Sequence, residues 1–340
     1  MRSELRIDVG AVRRNARTLV EALAGAELWA VVKADGYGHG AVACGAAALS
    51  GGATALCAAT VPEALVLRAE LPAARIVVLG PTSNREVAAA REARLELAVG
   101  RGDLPDGVPL HLKLDTGMGR WGLSELVAPS RDVVGLMTHL ATADGDLEYA
   151  RRQLRRFEEE TAPFAHLTRH AANSAAALRL PESRYDAARC GIALYGLSPF
   201  HGDPSADRLE PVLSWRSELA QVRLLRPGES TGYGRRFVAE RETWIGVVPV
   251  GYADGLRRDL TGGEVLVDGE RRRLVGTVSM DAVAVELPRE LPVGAPVTIV
   301  GDGLTLEEHA RVAGTITYEL ACSIGRAAVA ERARRLVVES

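Results

Sequence analysis

The chain has 340 residues and a net charge of −3, and 47% of its residues are hydrophobic and 25% charged. An α/β barrel takes ~250 residues, so this length and composition fit a globular protein with one barrel and a smaller second domain. The near-neutral charge argues against a nucleic-acid-binding surface. A membrane helix is also excluded, since no segment approaches the ~20 consecutive apolar residues it needs.

In the first 200 residues, short apolar runs alternate with longer segments of helical periodicity. The predicted strands are 28–32, 53–58, 75–79, 110–114 and 133–138. The predicted helices are 8–24, 62–70, 84–94 and 147–165. Regular alternation of strand and helix indicates a parallel sheet. Seven or eight such units over this length favour a closed TIM (β/α)8 barrel over an open sheet.

The pattern changes after residue 212, where Val-rich strands lie close together with tight turns between them. Asp268 and Gly269 separate two such strands and predict a β-hairpin. Thr305 and Glu308 form a capping box that predicts one helix, with Gly314 at its end. We therefore divide the chain into an α/β barrel over residues 1–211 and a mostly β C-terminal domain over residues 212–340.

The cysteines and the N-terminal residues bear on the cellular compartment. Cys44, Cys57, Cys190 and Cys322 show no CxxC spacing, which argues against a zinc site or a disulfide framework. The first residues contain no apolar stretch of signal-peptide length. We therefore expect a cytoplasmic protein that binds neither a metal, a membrane nor nucleic acid.

Lys33 is the first candidate catalytic residue, because it follows a predicted barrel strand. The carboxyl ends of barrel strands form the active-site face of TIM barrels. A lysine held there against apolar walls can have a lowered pKa, which suits it to form a Schiff base. Gly36, Gly38 and Gly40 allow sharp turns and close approach to a ligand. Taken alone, the segment fits a surface lysine before a flexible turn equally well.

Residues 32–40 read VKADGYGHG and resemble the segment of alanine racemases that attaches pyridoxal 5'-phosphate (PLP). Seven further segments resemble that family in the same order: KLDTGMGRWG (113–122), THLATAD (138–144), HAANSAA (170–176), ARCGIALYG (188–196), STGYGR (230–235), VGYADGL (250–256) and GTVSMD (276–281). The resemblance implies a TIM barrel followed by a β domain, PLP as cofactor, and a homodimer with shared active sites. It also implies the supply of D-alanine for peptidoglycan synthesis.

The resemblance assigns two bases to the racemisation of alanine. Lys33 would join PLP covalently and then act as a base on one face of the α-carbon. Tyr252 matches the family's second base, on the opposite face. His139 matches a histidine that lies near this tyrosine and the cofactor.

Arg189 matches the arginine that faces the pyridine nitrogen of PLP. Because arginine is effectively always protonated, it keeps a proton off that nitrogen and weakens the electron withdrawal by the ring. Side reactions such as transamination are thereby discouraged. A decarboxylase of the same fold would be expected to place a carboxylate at this position.

The remaining predicted site residues bind anionic groups. Those that match the phosphate site are Tyr37, Ser174, Gly191 and Ile192. Arg120 and the backbone N–H of Met280 match the groups that bind the substrate carboxylate. Lys113 matches a lysine that is carbamylated in many members of the family, and such a carbamate could orient Arg120.

Two alternatives remain open from the sequence. One is a related PLP enzyme, such as a racemase of serine or of a larger amino acid, because Thr277 and the tail at 322–329 depart from the family pattern. The other is a PLP-binding barrel protein without racemase activity. The presence of the C-terminal segments with Tyr252 and Met280 argues against the second alternative.

Overall fold

The structure is a computed structural model that describes residues 2–301, 303–329 and 334–339. The chain divides into two compact units, each described by itself below. One unit is Gly10–Glu210, and the other combines Met1–Val9 with Pro211–Ser340.

The first elements of the chain are β1 (Ser3–Asp8), which belongs to the second unit, and α1 (Val9–Leu23). The unit Gly10–Glu210 then forms a closed barrel of eight parallel strands. The strands are β2 (Glu27–Val31), β3 (Ala55–Ala58), β4 (Ile76–Val78), β5 (Glu96–Val99), β6 (Leu110–Lys113), β7 (Val133–Met137), β8 (Thr168–His170) and β9 (Ala187–Cys190). The predicted TIM-barrel fold is confirmed.

Helices connect most of the barrel strands. They are α2 (Lys33–Tyr37), α3 (Ala41–Ser50), α4 (Val61–Glu70), α5 (Asn84–Glu92), α6 (Leu147–Thr161) and α7 (Ser174–Arg179). Their ends follow the expected capping chemistry: the Thr60 hydroxyl caps α4, and Ser83 with Glu86 forms a capping box on α5. None of the helices in the described residues has both the length and the apolar character needed to cross a membrane.

The second unit contains a nine-stranded sheet with the order β11-β14-β17-β16-β15-β18-β10-β1-β19. Strands β12 and β13 form a separate pair outside this sheet. Besides β1, the strands of the unit are β10 (Leu213–Glu218), β11 (Gln221–Leu225), β12 (Ser230–Thr231), β13 (Phe237–Val238), β14 (Thr243–Val248), β15 (Glu264–Val267), β16 (Glu270–Val275), β17 (Val283–Leu287), β18 (Pro296–Val300) and β19 (Arg334–Glu339). The helices are α8 (Leu306–Ala313) and α9 (Thr317–Val329). The mostly β C-terminal domain, the hairpin at Asp268 and Gly269 and the capped helix α8 are all confirmed.

Strand β1 lies in this sheet, although the sequence boundary assigned residues 1–211 to the barrel. It pairs antiparallel with β10 and parallel with β19. Leu5 and Ile7 are buried while their neighbours are partly exposed, the alternation expected of a strand with one face against a core. The sequence reasoning missed this because pairing across more than two hundred residues leaves no local pattern.

Candidate active site

Residues of the barrel that the sequence analysis singled out lie at the carboxyl ends of its strands. Lys33 follows β2, and Lys113 is the last residue of β6. His139 follows β7, and Arg189 lies in the second half of β9. The barrel topology therefore brings together residues that are more than 150 positions apart in the sequence, at the end where TIM barrels carry their active sites.

The segment after Lys33 folds into an unusual left-handed turn. Ala34 and Asp35 have φ of 52° and Tyr37 has φ of 54°. Each such residue costs ~1–2 kcal/mol relative to right-handed backbone. The Glu63 carboxylate accepts a hydrogen bond from the Ala34 N–H (2.9 Å) and holds the turn in place. Local strain held by neighbouring groups is typical of functional sites.

Loss of the Glu63 carboxylate should loosen this turn. We expect Glu63→Ala to lower the free energy of unfolding by about 1–3 kcal/mol, because two backbone N–H groups, of Ala34 and Ala59, lose their acceptor. Hydrogen exchange measured by mass spectrometry should become faster in residues 33–40. Glu70→Ala, at the far end of the same helix, is the control and should leave both measurements unchanged. Equal effects of the two substitutions would contradict this role of Glu63.

Three predicted phosphate-binding groups lie around Gly191. The Ser174 Oγ accepts a hydrogen bond from the Gly191 N–H (3.0 Å). A Cβ placed on Gly191 would lie 2.4 Å from the hydroxyl oxygen of Tyr37, so this position requires glycine. Within the described residues, the Ile192 N–H has no hydrogen-bond acceptor. Hydroxyl groups and an available N–H at one place suit an anion such as phosphate.

Arg189 is buried and is held mainly by backbone carbonyl groups. Its Nη1 donates to His170 O (2.8 Å) and Nδ1 (2.7 Å), and its Nη2 donates to Thr138 O (2.7 Å). Burial lowers the pKa of the Arg189 guanidinium to about 10, so it remains protonated at neutral pH. Across the part of the chain that the structure describes, its Nε–H has no acceptor. One donor of a fixed, charged guanidinium is therefore available to a ligand.

His139 and Lys113 lie in an environment of positive charge. Burial and then the charge of Arg189 hold the pKa of His139 well below its usual range, so this imidazole is neutral. Arg189 Nη2 lies 3.3 Å from His139 Nδ1, which accepts. Burial and the charge of Arg120 lower the pKa of Lys113 to about 7. Lys113 is thus partly an uncharged amine near neutral pH, the form that reacts with carbon dioxide.

Arg120 and Lys113 share one aromatic neighbour that the sequence analysis did not single out. The Lys113 ammonium lies 4.2 Å and the Arg120 guanidinium 4.4 Å from the centre of the Trp121 ring. Such cation–π contacts stabilise the positively charged forms of the two side chains. The Asp115 carboxylate orders the intervening loop by accepting three backbone N–H hydrogen bonds. The adjacency of Trp121 to Arg120 was the one available signal in the sequence.

Tyr252 and Met280 lie together in the C-terminal unit. The Tyr252 N–H donates to Ser279 O (3.0 Å), so two neighbouring loops are joined. A Cβ on Gly251 would lie 2.3 Å from Met280 O, so glycine permits this approach. Tyr252 is 43% and Met280 50% exposed, and the Met280 N–H has no acceptor among the residues described. Both predicted groups are therefore accessible on the surface of this unit.

The closed barrel of eight parallel strands, with lysine, arginine and histidine side chains at the carboxyl ends of its strands, places the chain in the class of (β/α)8-barrel enzymes. Family models described as alanine racemase, N-terminal domain and alanine racemase, C-terminal domain match residues 7–199 and 212–332. The alanine racemase of Lactiplantibacillus plantarum is 42% identical, with 88% of each chain covered. The chain belongs to the alanine racemase family.

Solved structures of this family share the fold along the whole chain. The crystal structure of alanine racemase from E. faecalis has a TM-score of 0.90 and is 36% identical, covering 99% of this chain and 98% of that chain. The structure from Bartonella henselae, which holds covalently bound pyridoxal phosphate, has a TM-score of 0.87 and is 25% identical, with 99% of each chain covered.

Proposed function

We propose that this protein is a PLP-dependent alanine racemase that interconverts L- and D-alanine. The observation that carries the proposal is the convergence, at one end of the barrel, of Lys33, the hydroxyl and N–H groups around Gly191 and the available Nε–H of Arg189. The family membership supports the same reaction. The biological role that follows is the supply of D-alanine for peptidoglycan, by a cytoplasmic enzyme.

The described residues fit PLP. Tyr37, Ser174, Gly191 and Ile192 would bind its phosphate through hydroxyl and N–H groups, and Lys33 would attach it covalently. The Arg189 Nε–H would donate to the pyridine nitrogen, which can then only accept, since arginine keeps its own proton. When bound, PLP supplies the electron-withdrawing system that stabilises negative charge at the α-carbon of the amino acid.

The chain's own groups then move the proton of the α-carbon. In this proposal the Lys33 Nζ takes or returns that proton on one face, and the Tyr252 Oη does so on the other. Arg120 and the Met280 N–H bind the substrate carboxylate, which fixes the α-carbon between the two bases. Neutral His139 is a hydrogen-bond acceptor for Arg189 and places no further positive charge near the cofactor.

We also propose a homodimer in which Tyr252 and Met280 complete the active site of the partner subunit. The resemblance to the family motivates this arrangement. The exposure of both residues on the C-terminal unit supports it, because a group must be accessible in one chain to serve another. The low pKa of Lys113 supports its carbamylation, which would convert a cation beside Arg120 into an anion.

A racemisation assay combined with chemical labelling tests the proposal. Purified protein loaded with PLP should racemise alanine faster than the other members of an amino-acid panel. Borohydride reduction should then fix the cofactor on the peptide that contains Lys33, as read by mass spectrometry. Preference for serine or a larger amino acid would instead identify a related racemase. A label on another lysine, or no racemisation of any amino acid, would contradict the proposal.

A further inference from the structure

Behind Arg189, an unbroken series of hydrogen bonds runs through the interior of the barrel. Arg189 Nη1 contacts His170 Nδ1 at 2.7 Å. His170 Nε2 lies 3.0 Å from His111 Nδ1, and His111 Nε2 lies 2.8 Å from Glu96 Oε2. The two Glu96 oxygens also contact Arg75 Nε (2.7 Å) and Nη2 (2.9 Å). Five side chains are thus connected through four successive pairs.

The chemistry of these groups fixes the direction of every bond. A guanidinium only donates, so His170 Nδ1 must accept from Arg189 and the proton of His170 is on Nε2. That N–H donates to His111 Nδ1, which places the proton of His111 on its own Nε2. The Glu96 carboxylate accepts this last N–H. Both imidazoles are therefore neutral Nε2–H tautomers.

The packing holds both imidazole rings in this arrangement. His111 and His170 are completely buried, and the Trp29 ring centre lies 5.5 Å and 4.4 Å from theirs. A Cβ on Gly135 would lie 2.2 Å from His111 Nδ1, so only glycine leaves room for the ring. Burial lowers the pKa of both histidines, in agreement with their neutral state.

The series connects the two ends of the barrel. Glu96 is the first residue of β5 and Arg75 immediately precedes β4, so both lie at the amino end. Burial would raise the pKa of Glu96, but the hydrogen bonds from His111 and Arg75 lower it to about 2, so it carries a full negative charge. Arg189 lies at the other end of the series, toward the active site. Two histidines thus connect a charged carboxylate at the amino end of the barrel with Arg189.

We propose that Glu96 is a positioning residue for the racemase: by accepting the His111 Nε2–H it holds His111 and His170 in the tautomers that donation by Arg189 requires, and these hold the Arg189 guanidinium with its Nε–H directed to PLP. The last step rests on the proposed function, because it assigns the Nε–H to the pyridine nitrogen. The two tautomers do not depend on that function, so they can be tested separately.

Nitrogen-15 NMR of the PLP-loaded protein, with labelled and assigned histidines, tests the tautomers directly. We expect His111 and His170 to show a protonated Nε2 and an unprotonated Nδ1 at neutral pH. A cationic ring or an Nδ1–H tautomer at either position would overturn the proposal. This measurement needs no racemase activity, so its failure is distinguishable from failure of the proposed function.

Glu96→Ala tests the positioning role. It should shift the nitrogen signals of both His111 and His170 and lower kcat by about tenfold to a hundredfold, the range for loss of an orienting partner. KM for alanine should change by less than about twofold, because Arg189 does not bind the carboxylate. Glu96→Gln, which keeps an acceptor oxygen, should retain both tautomers and most of kcat. Glu96→Met, which has a similar length but no acceptor oxygen, replaces the alanine variant if that protein does not fold.

Asp132→Ala is the matched control. Asp132 immediately precedes β7 at the same end of the barrel, and its carboxylate accepts the Gly107 N–H (2.7 Å) rather than a proton of the histidine series. It should leave the histidine signals and kcat unchanged. If Glu96→Ala behaved like Asp132→Ala, or if Glu96→Gln lost as much as the alanine variant, Glu96 would not position Arg189.

Discussion

Lys33→Ala and Tyr252→Phe should each lower the rate of alanine racemisation by about 10² to 10⁴-fold, the contribution of one positioned base. Neither variant should recover when mixed with itself. Mixed together by co-expression or joint refolding, they should regain activity, because each mixed dimer has one site with both defects and one with neither. Random pairing makes half of the dimers mixed, so roughly a quarter of all sites should be intact.

A matched control separates exchange between subunits from other causes of recovery. Lys33 and Arg189 lie on the same barrel, so every site of a Lys33→Ala and Arg189→Glu mixed dimer carries one defect. That mixture should regain nothing. Differently tagged chains show whether mixed dimers form. If they form and the mixture of Lys33→Ala with Tyr252→Phe still regains no activity, the proposal of a shared active site is wrong.

Arg189→Glu should lower kcat by about 10² to 10³-fold and increase the share of turnovers that end in transamination. A carboxylate would favour a proton on the pyridine nitrogen, whereas the buried guanidinium in the protein donates and stays charged. Loss of one preorganised charged donor has an effect of this size. Chiral chromatography measures racemisation, and pyruvate released from alanine measures transamination.

Two further variants test whether the effect of Arg189→Glu depends on the charge at this position. Arg189→Lys keeps the charge but loses the forked contacts to Thr138 and His170, so it should lose rate without gaining transamination. Arg184→Glu changes an arginine of the same unit that bonds Ala177 O, and it should change neither quantity. An unchanged ratio of transamination to racemisation in Arg189→Glu would show that Arg189 does not face the ring nitrogen.

The sequence predicted those parts of the fold that have a local pattern. Apolar runs predicted β2 and β3, and capping residues predicted α8. Strands β5, β8 and β9 were not among the predicted runs, because Glu96 begins β5, β8 consists of Thr168, Arg169 and His170, and Arg189 divides the apolar residues of β9. These polar side chains point into the barrel, where their hydrogen bonds replace apolar packing, and only the closed topology reveals their partners.

The residues of the candidate site likewise include some that the sequence predicted and some that it did not. The motifs predicted Lys33, Arg189 and the residues around Gly191, because sequence segments carry them in order. No motif predicted Glu63, which holds the left-handed turn from a neighbouring helix, or Trp121, whose role depends on the side-chain positions of two cations. Contacts of this kind arise only when separate strands and helices are packed together.

The pairing of β1 has a consequence for the order in which the chain folds during synthesis. Ser3 pairs with Ser217 and also with Arg334, so β1 must await partners that are made more than two hundred residues later. Among the barrel strands, by contrast, most pairs join strands that are consecutive in the sequence, although the pair that closes the barrel joins β2 with β9 (Glu27 with Ala187). Contacts between such distant segments form slowly because of the entropy of closing long loops. During synthesis β1 therefore has neither of its neighbouring strands until β10 is made, and it gains the second only when β19 follows.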